Sequence, residues 1–389
     1  MGLRIPISKP WLDEKEAAAA GRAILSGWVT QGPEVTAFER EFASLVGAPH
    51  ACAVANCTSA LHLALRAVGV GPGDEVVTVS HSFIASANAV RYCGATPVFV
   101  DIEPGSFNLD PARLQSALSD KTRAILCVHQ MGMPCDLAAV LALARQHRLP
   151  VVEDAACALG SALRWQGEWQ AIGRPHGDIA CFSFHPRKLV TTGDGGMLTT
   201  ARGEWDQQFR LWRQHGMSVP DTVRHAAPRV TPEAYIGLGY NYRLTDIQAA
   251  VGRVQLTRLA KIVARRRAQA ARYQTLLVAI PGLGLPAEPE WARSNWQSYC
   301  VRLPRGVPQA VVMQALLDAG IATRRGIMCI HREPAYAEAP LAWRQAGALT
   351  NSEQAQDAGL ILPLYHQLSA AEQDDVAAAL ALACRQWAA

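Results

Sequence analysis

Between residues 50 and 200, short apolar runs of strand length alternate with helix-like segments, and this alternation limits the possible folds more than any other feature of the chain. The runs lie at 75–79, 97–101, 123–129, 150–154 and 179–184. They are mostly continuous rather than alternately apolar and polar, so both faces of each strand must be covered. Before them, 33–46 places Val35, Phe38, Phe42 and Leu45 at helical spacing, and 136–147 reads as a crossover helix. These features predict a doubly wound, mainly parallel α/β sheet.

After Asn241 the texture changes. Residues 244–277 are rich in Ala, Arg, Gln and Leu and contain no proline, which predicts one long helix leading into a second unit, with the break between 245 and 280. From 281 onward the strands are shorter, as at 299–303. Ser369 and Glu372 predict a capping box for a helix over 370–386. The second unit is therefore expected to be a smaller α+β domain, and 389 residues at about 150 per domain fit two domains, or one large α/β domain with an appendage.

Composition excludes several classes. The chain is 50% hydrophobic and 18% charged, and 37 Lys and Arg against 33 Asp and Glu leave a net charge of +4. That balance is globular, neither disordered nor strongly nucleic-acid-like. There is no apolar leader at the N-terminus and no run of about 18 uncharged apolar residues, so neither export nor a membrane span is expected, and the expected address is the cytoplasm. The ten cysteines are scattered without a C-x-x-C pair and are expected to be reduced, buried thiols. No H-E-x-x-H, P-loop or G-x-G-x-x-G pattern occurs, so no metal is expected. Arg265, Arg266 and Arg267, backed by Arg258, Lys261 and Arg272, lack interleaved aromatics; they read as a solvated helix face and not as a nucleic-acid site.

Three features carry chemistry. Lys188 is the one lysine set between strand-like runs, and a partly desolvated amine is expected to lose proton affinity and become nucleophilic; the alternative is a lysine that snorkels from a loop. Asp154 ends the run 150–154 and should stand at the carboxyl end of a central strand, where ligands of open α/β sheets bind, or else cap the next helix. Asn56-Cys57-Thr58-Ser59 opens an amphipathic helix whose first amides suit a phosphate, although many helices start this way. A phosphate cradle, a strand-end acid and an isolated lysine on one sheet together point to pyridoxal phosphate.

These residues belong to a longer pattern. It runs from Ser26-Gly27-Trp28-Val29-Thr30-Gln31-Gly32-Pro33 through Glu153-Asp154-Ala155-Ala156 to Ser183-Phe184-His185-Pro186-Arg187-Lys188 with its Thr-Thr-Gly-Asp-Gly-Gly tail. It continues in Gly239-Tyr240-Asn241-Tyr242-Arg243-Leu244-Thr245-Asp246 and Leu362-Pro363-Leu364-Tyr365. The chain thereby resembles the DegT/DnrJ/StrS family of sugar aminotransferases, which have the aspartate-aminotransferase-like (type I) pyridoxal-phosphate fold. The resemblance implies a large cofactor-binding domain over 1–250 and a small C-terminal domain over 251–389. It also implies that Lys188 is the Schiff-base lysine, that Asp154 pairs with the pyridine nitrogen, and that Phe83 stacks on the ring. Thr58, Ser59 and Ser183 would hold the phosphate, and Asn241 would reach the phosphate of a neighbouring subunit, so that a homodimer shares its sites. Trp28, Thr30, Gln31, His185, His331 and the segment Asn295-Trp296-Gln297-Ser298 are expected at the sugar site.

Two positions depart from the family pattern. Cys157 stands beside the cofactor where Gln or His is common, and Asp194 stands where Glu is more frequent. The activity implied is transfer of an amino group from L-glutamate to a keto group on a nucleotide-linked sugar. A sugar dehydratase of the same family is associated with His at the position of Lys188, and amination of a cyclitol shares the cofactor residues. A pyridoxal-phosphate-binding regulatory protein without turnover is the reading from another class.

Overall fold

The computed structural model describes residues 3–219, 224, 227–338 and 343–385. Its strands are β1 (His50–Val54), β2 (Glu75–Val79), β3 (Thr96–Val100), β4 (Thr122–Val128), β5 (Val151–Asp154), β6 (Ala162–Trp165) and β7 (Glu168–Ala171). They continue as β8 (Ile179–Ser183), β9 (Gly196–Thr200), β10 (Ala292–Arg293), β11 (Tyr299–Arg302), β12 (Arg324–Arg325), β13 (Arg344–Gln345) and β14 (Gly359–Leu362). Eight of them form one sheet in the order β1-β9-β8-β5-β4-β2-β3-β13. The pairs from β8 to β13 are parallel, and β9 alone runs against its neighbours β1 and β8. The five apolar runs are β2, β3, β4, β5 and β8, each within one residue at either end. Strands β1 and β9 escaped notice because small and hydroxyl residues make up much of them, although both are buried almost throughout.

Local chemistry sets the helices around this sheet. Pro33 opens the helix Pro33–Val46, and Gly47 ends it in the left-handed conformation with φ 74°. Val35, Phe38 and Phe42 are buried as their spacing predicts, and Phe42 packs edge-on against Phe182 and Phe184. Leu45 is 43% exposed instead, because the sheet-facing stripe continues through Val46. Each large apolar side chain buried in this way contributes about 1.5–3 kcal/mol.

The long helix Asp246–Leu277 starts at a capping box between Thr245 and Gln248. Its first half packs Leu256, Leu259 and Ile262 into the core beneath the large sheet. Its second half gives Ala270, Tyr273 and Leu277 to another core, built on the antiparallel sheet β11-β14-β12 and the helices Gln309–Asp318 and Ala370–Arg385. Ile5 joins that second core through a bridge to Ile321. The capping box at Ser369 forms as expected: the Ser369 amide donates to Glu372 Oε2 and the Glu372 amide to Ser369 Oγ. The expected end of this helix at Gln386 lies outside the described residues.

The arginine run is a solvated face only in part, since Arg265 is exposed but Arg266 turns inward. Arg266 is 3% exposed, and its Nη1 donates to the carbonyls of Trp296 (3.0 Å) and Gln297 (2.9 Å). Burial without an acidic partner pulls its pKa down to about 10. Arg267 Nε donates to the Ser294 carbonyl and Arg265 Nε to the His366 carbonyl. Helical rotation separates three consecutive residues by about 100° each, so the middle one faces inward here.

Candidate active site

The parallel strands β2, β4, β5 and β8 bring their carboxyl ends to one edge of the sheet, and a cleft of about 340 Å³ opens there. Asp154, the last residue of β5, lines it and is 6% exposed. Its Oδ2 accepts from Ser86 Oγ at 2.8 Å, and its Oδ1 accepts from the Ala156 amide at 3.2 Å. The carboxylate thus both caps the following turn and faces the cleft. Among the described residues, no Lys, Arg or His forms an ion pair with it.

Lys188 lies on the connection between β8 and β9. The Phe184 amide donates to the Gly195 carbonyl, the Thr192 amide to the Phe184 carbonyl, and the Gly193 amide to Thr191 Oγ1, which closes the loop on itself. Gly193 takes φ +84° in this turn, which explains a glycine within the Thr-Thr-Gly-Asp-Gly-Gly tail. The loop delivers Lys188 Nζ into the cleft, 3.0 Å from Cys157 Sγ, to which it donates. Burial works against the ammonium, but the neighbouring Cys157, with Asp154, outweighs it, and the Lys188 pKa stands above its ordinary value. The expected loss of proton affinity is therefore corrected: the groups around this amine are acceptors that favour its charged form. Cys57 and Cys181 behave differently, since burial pushes both thiols well up and keeps them protonated.

The helix Cys57–Ala67 begins at the rim of the cleft. Asn56 Oδ1 caps it by accepting from the Ser59 amide at 2.8 Å. The amides of Cys57 and Thr58, in the first turn, have no carbonyl to bond within the helix, and the dipole favours an anion there. Gly196 allows this close approach: a Cβ on it would lie 2.5 Å from the Asn56 carbonyl carbon and 2.8 Å from the Cys57 nitrogen. Thr58 and Ser183 line the cleft, and Ser59 borders an adjoining depression with Thr58, Asp194 and Tyr242. Phe83, at the rim, leaves 56% of its surface exposed, so a planar ligand has an aromatic face to cover.

An amine, a buried carboxylate without a cation, free helix-start amides and an uncovered ring match the aldehyde, ring nitrogen, phosphate and ring face of pyridoxal phosphate. The residues present fit that cofactor. Among the described residues, no group of three His, Cys, Asp or Glu side chains could hold a metal ion.

Of the predicted site residues, Thr58, Phe83, Asp154, Cys157, Ser183, His185 and Lys188 line one cleft. Gln297 and Ser298 line it too, whereas Asn295 and Trp296 are buried beneath it, with Asn295 Nδ2 donating to the Cys157 and Leu159 carbonyls. Trp28, Thr30, Gln31, Asn241 and His331 do not line the cleft of this chain. Trp28 Nε1 donates to the Gln31 carbonyl, and Thr30 accepts at its carbonyl from the Asp246 amide. Gln31 approaches Gln214, and Asn241, exposed, pairs with Gln214 in a short bridge. His331 Nδ1 meets Ser80 Oγ at 2.6 Å and its Nε2 meets Glu353 Oε1 at 3.1 Å.

Sequence reasoning missed Ser86, which anchors Asp154, and Arg187 and Arg324, which stand at the cleft. Ser86 lies three residues beyond Phe83, but nothing in its neighbours tells that it meets the end of β5. Arg324 comes from β12, in the other sheet.

The sequence profile of the DegT/DnrJ/EryC1/StrS aminotransferase family matches residues 10–381. The chain is 38% identical over 376 residues to the spore coat polysaccharide biosynthesis protein SpsC of Bacillus subtilis, covering 96% of this chain and 95% of that one. The structure of the aminotransferase TlmJ from Streptoalloteichus hindustanus superposes with a TM-score of 0.88 at 33% identity, covering 98% of this chain and 99% of that one. The sugar aminotransferase Spr1654 from Streptococcus pneumoniae, in its PMP form, gives a TM-score of 0.90 at 27% identity, with 98% and 100% covered. The profile spans almost the whole chain and the superpositions cover it nearly end to end, and the protein belongs to the DegT/DnrJ/EryC1/StrS aminotransferase family, pyridoxal-phosphate-dependent enzymes of fold type I.

Proposed function

We propose that this sugar aminotransferase moves an amino group from L-glutamate to a keto group on a nucleotide-linked sugar, acting in the cytoplasm as a homodimer with shared sites. The observation that carries this reading is that Lys188 Nζ and the Asp154 carboxylate open into one cleft beside the Cys57–Ala67 helix start. SpsC is named for spore coat polysaccharide biosynthesis, and a further neighbour, PseC of Helicobacter pylori, is titled an aminotransferase in pseudoaminic acid biosynthesis; both names favour a sugar acceptor. A lysine at 188 favours amine transfer over dehydration. No described helix is long and apolar enough to cross a membrane.

When bound, pyridoxal phosphate supplies an electron-withdrawing ring that lets a C–H bond beside the reacting nitrogen ionise. Asp154 would hold the proton on the ring nitrogen, and Ser86 keeps that carboxylate in place. Lys188 would bind the cofactor covalently, then, once displaced, take the proton from the donor's α-carbon and deliver it to the cofactor's C4′ atom. Thr58, Ser59, Ser183 and the first helix amides would keep the phosphate fixed while Lys188 lets go.

Dimerisation is supported by the segment before Asn241, where Val230, Tyr235, Ile236 and Leu238 are between 64% and 95% exposed. Apolar side chains clustered so openly mark an interface. A partner would bury them and bring Asn241 toward a neighbouring phosphate.

The test is to incubate the holoenzyme with L-glutamate, follow loss of the Schiff-base absorbance, and then supply a panel of keto-sugar nucleotides. Amino-sugar product, with borohydride label mapped to Lys188, is expected. Cofactor binding with no amino exchange across the panel would favour the regulatory reading instead.

A further inference from the structure

Two guanidinium groups face this cleft without a partner. Strand β12 consists of Arg324 and Arg325, and both line the cleft. Arg325 Nη2 lies 2.8 Å from Glu333 Oε1, so its charge is met. The guanidinium of Arg324 has neither an ion pair nor a hydrogen bond among the described residues. Arg187, next to Lys188, is in the same state, and both line the cleft.

The backbone beneath Arg187 is nevertheless fixed. Its amide donates to His185 Nδ1 at 3.2 Å, and its carbonyl accepts from Gln297 Nε2 at 2.5 Å. Burial, and then the charge of Arg187, lower the Arg324 pKa; burial, and then the charge of Arg187, also lower that of His185, with a smaller part from Arg324. The carboxylate at the floor of the cleft, Asp154, is already engaged with Ser86 and Ala156. Both residues are exposed at the cleft, so water solvates the two like charges until an oxyanion takes its place.

We propose that Arg187 and Arg324 form a clamp for the oxyanion carried by the substrate, either the carboxylate of the amino donor or the phosphate of the acceptor. Planar guanidinium forks donate two parallel hydrogen bonds to either group. Arg187, Arg324 and Lys188 line one cleft, so an anion held by the arginines shares that cleft with the reacting amine. The clamp rests on the aminotransferase reading above and names the part of the substrate that the site grips.

The experiment uses holoenzyme and the variants R187Q, R324Q, R324K and the R187Q/R324Q pair, each checked for an intact Schiff-base absorbance. Succinate, an unreactive dicarboxylate, and inorganic pyrophosphate are titrated by calorimetry, and bleaching by L-glutamate is followed in single turnover. At least one probe is expected to bind the wild type and to weaken about tenfold or more in each Gln variant, with R324K restoring only part of the affinity. Loss confined to succinate, with a raised half-saturation for L-glutamate at a little-changed limiting rate, identifies the donor carboxylate. Loss confined to pyrophosphate identifies the acceptor phosphate. If the double variant, with its absorbance intact, binds both probes and L-glutamate as the wild type does, or if the wild type binds neither probe, the clamp is overturned while amino transfer stands. Arginine-dependent probe binding in a wild type that L-glutamate never bleaches would instead overturn the transaminase reading and leave the clamp.

Discussion

Lys188 Nζ donates to Cys157 Sγ at 3.0 Å, so the amine that opens into this cleft meets a thiol before it meets any ligand. Cys157 is the only one of the ten cysteines that is not buried. Its presence raises the proton affinity of Lys188, and a protonated amine cannot attack an aldehyde. In C157A the Lys188 pKa should fall, so the apoenzyme should take up pyridoxal phosphate faster at neutral pH, and the pH profile of uptake should move to lower pH. Stopped-flow absorbance of cofactor uptake reads this; an unmoved profile would refute the role given to the thiol.

Asp154 is buried and positioned by Ser86. Replacing it by Asn keeps the shape and removes the charge. D154N should bind the cofactor but lose about 10²–10³-fold in kcat, in the range of removing one preorganised electrostatic group. S86A should lose less, because it frees the carboxylate without deleting it. Steady-state kinetics alongside cofactor titration separates the two effects.

Gly196 packs against the start of the phosphate-facing helix, with no room for a Cβ. G196A should cost about 1–3 kcal/mol of stability by overpacking. It should also weaken cofactor binding, because the Asn56–Cys57 backbone must move. Thermal melts of apo and holo protein should show a smaller stabilisation by cofactor than in the wild type.

His81 is 1% exposed, both of its ring nitrogens lack partners, and burial pulls its pKa down to about 4. The folded protein therefore keeps this ring neutral while the unfolded chain takes up a proton below about pH 6.5. The sign follows: the stability tied to a neutral His81 is present above about pH 6.5 and is lost as pH falls toward 4. Between pH 8 and pH 5 the loss should be about 2 kcal/mol from this residue. Urea unfolding should show a shallower decline over that range in H81F than in the wild type; equal slopes would exclude His81 as a cause.

Arg266 holds the carbonyls of Trp296 and Gln297 from inside the long helix. R266M keeps the apolar stem but leaves both oxygens without this donor, and should destabilise by about 2–5 kcal/mol. The Gln297 bond to the Arg187 carbonyl should loosen with it. Differential scanning calorimetry measures the first effect, and hydrogen exchange at 296–298 the second.

The fold was legible wherever one residue type dominated a window. Apolar runs marked the buried parallel strands, and the absence of proline over 244–277 marked the long helix. Strand β9 was not legible, because Gly196 and two threonines give no apolar signal, yet its antiparallel pairing sets the lysine loop. Lys188 could be picked out as the one lysine between strand-like runs, and Asp154 and Thr58 because one ends a strand and the other opens a helix, positions that local sequence reveals.

The amino-acid sequence alone thus determined the α/β class, the family pattern and the residues whose chemistry matches pyridoxal phosphate, since these depend on spacing along the chain. Only the tertiary structure decided what surrounds them: the thiol beside Lys188, the serine under Asp154, the inward turn of Arg266, and Arg187 and Arg324, more than a hundred residues apart, at one cleft. Proton affinity and charge pairing depend on neighbours in space, and spacing along the chain does not specify those until the elements are packed.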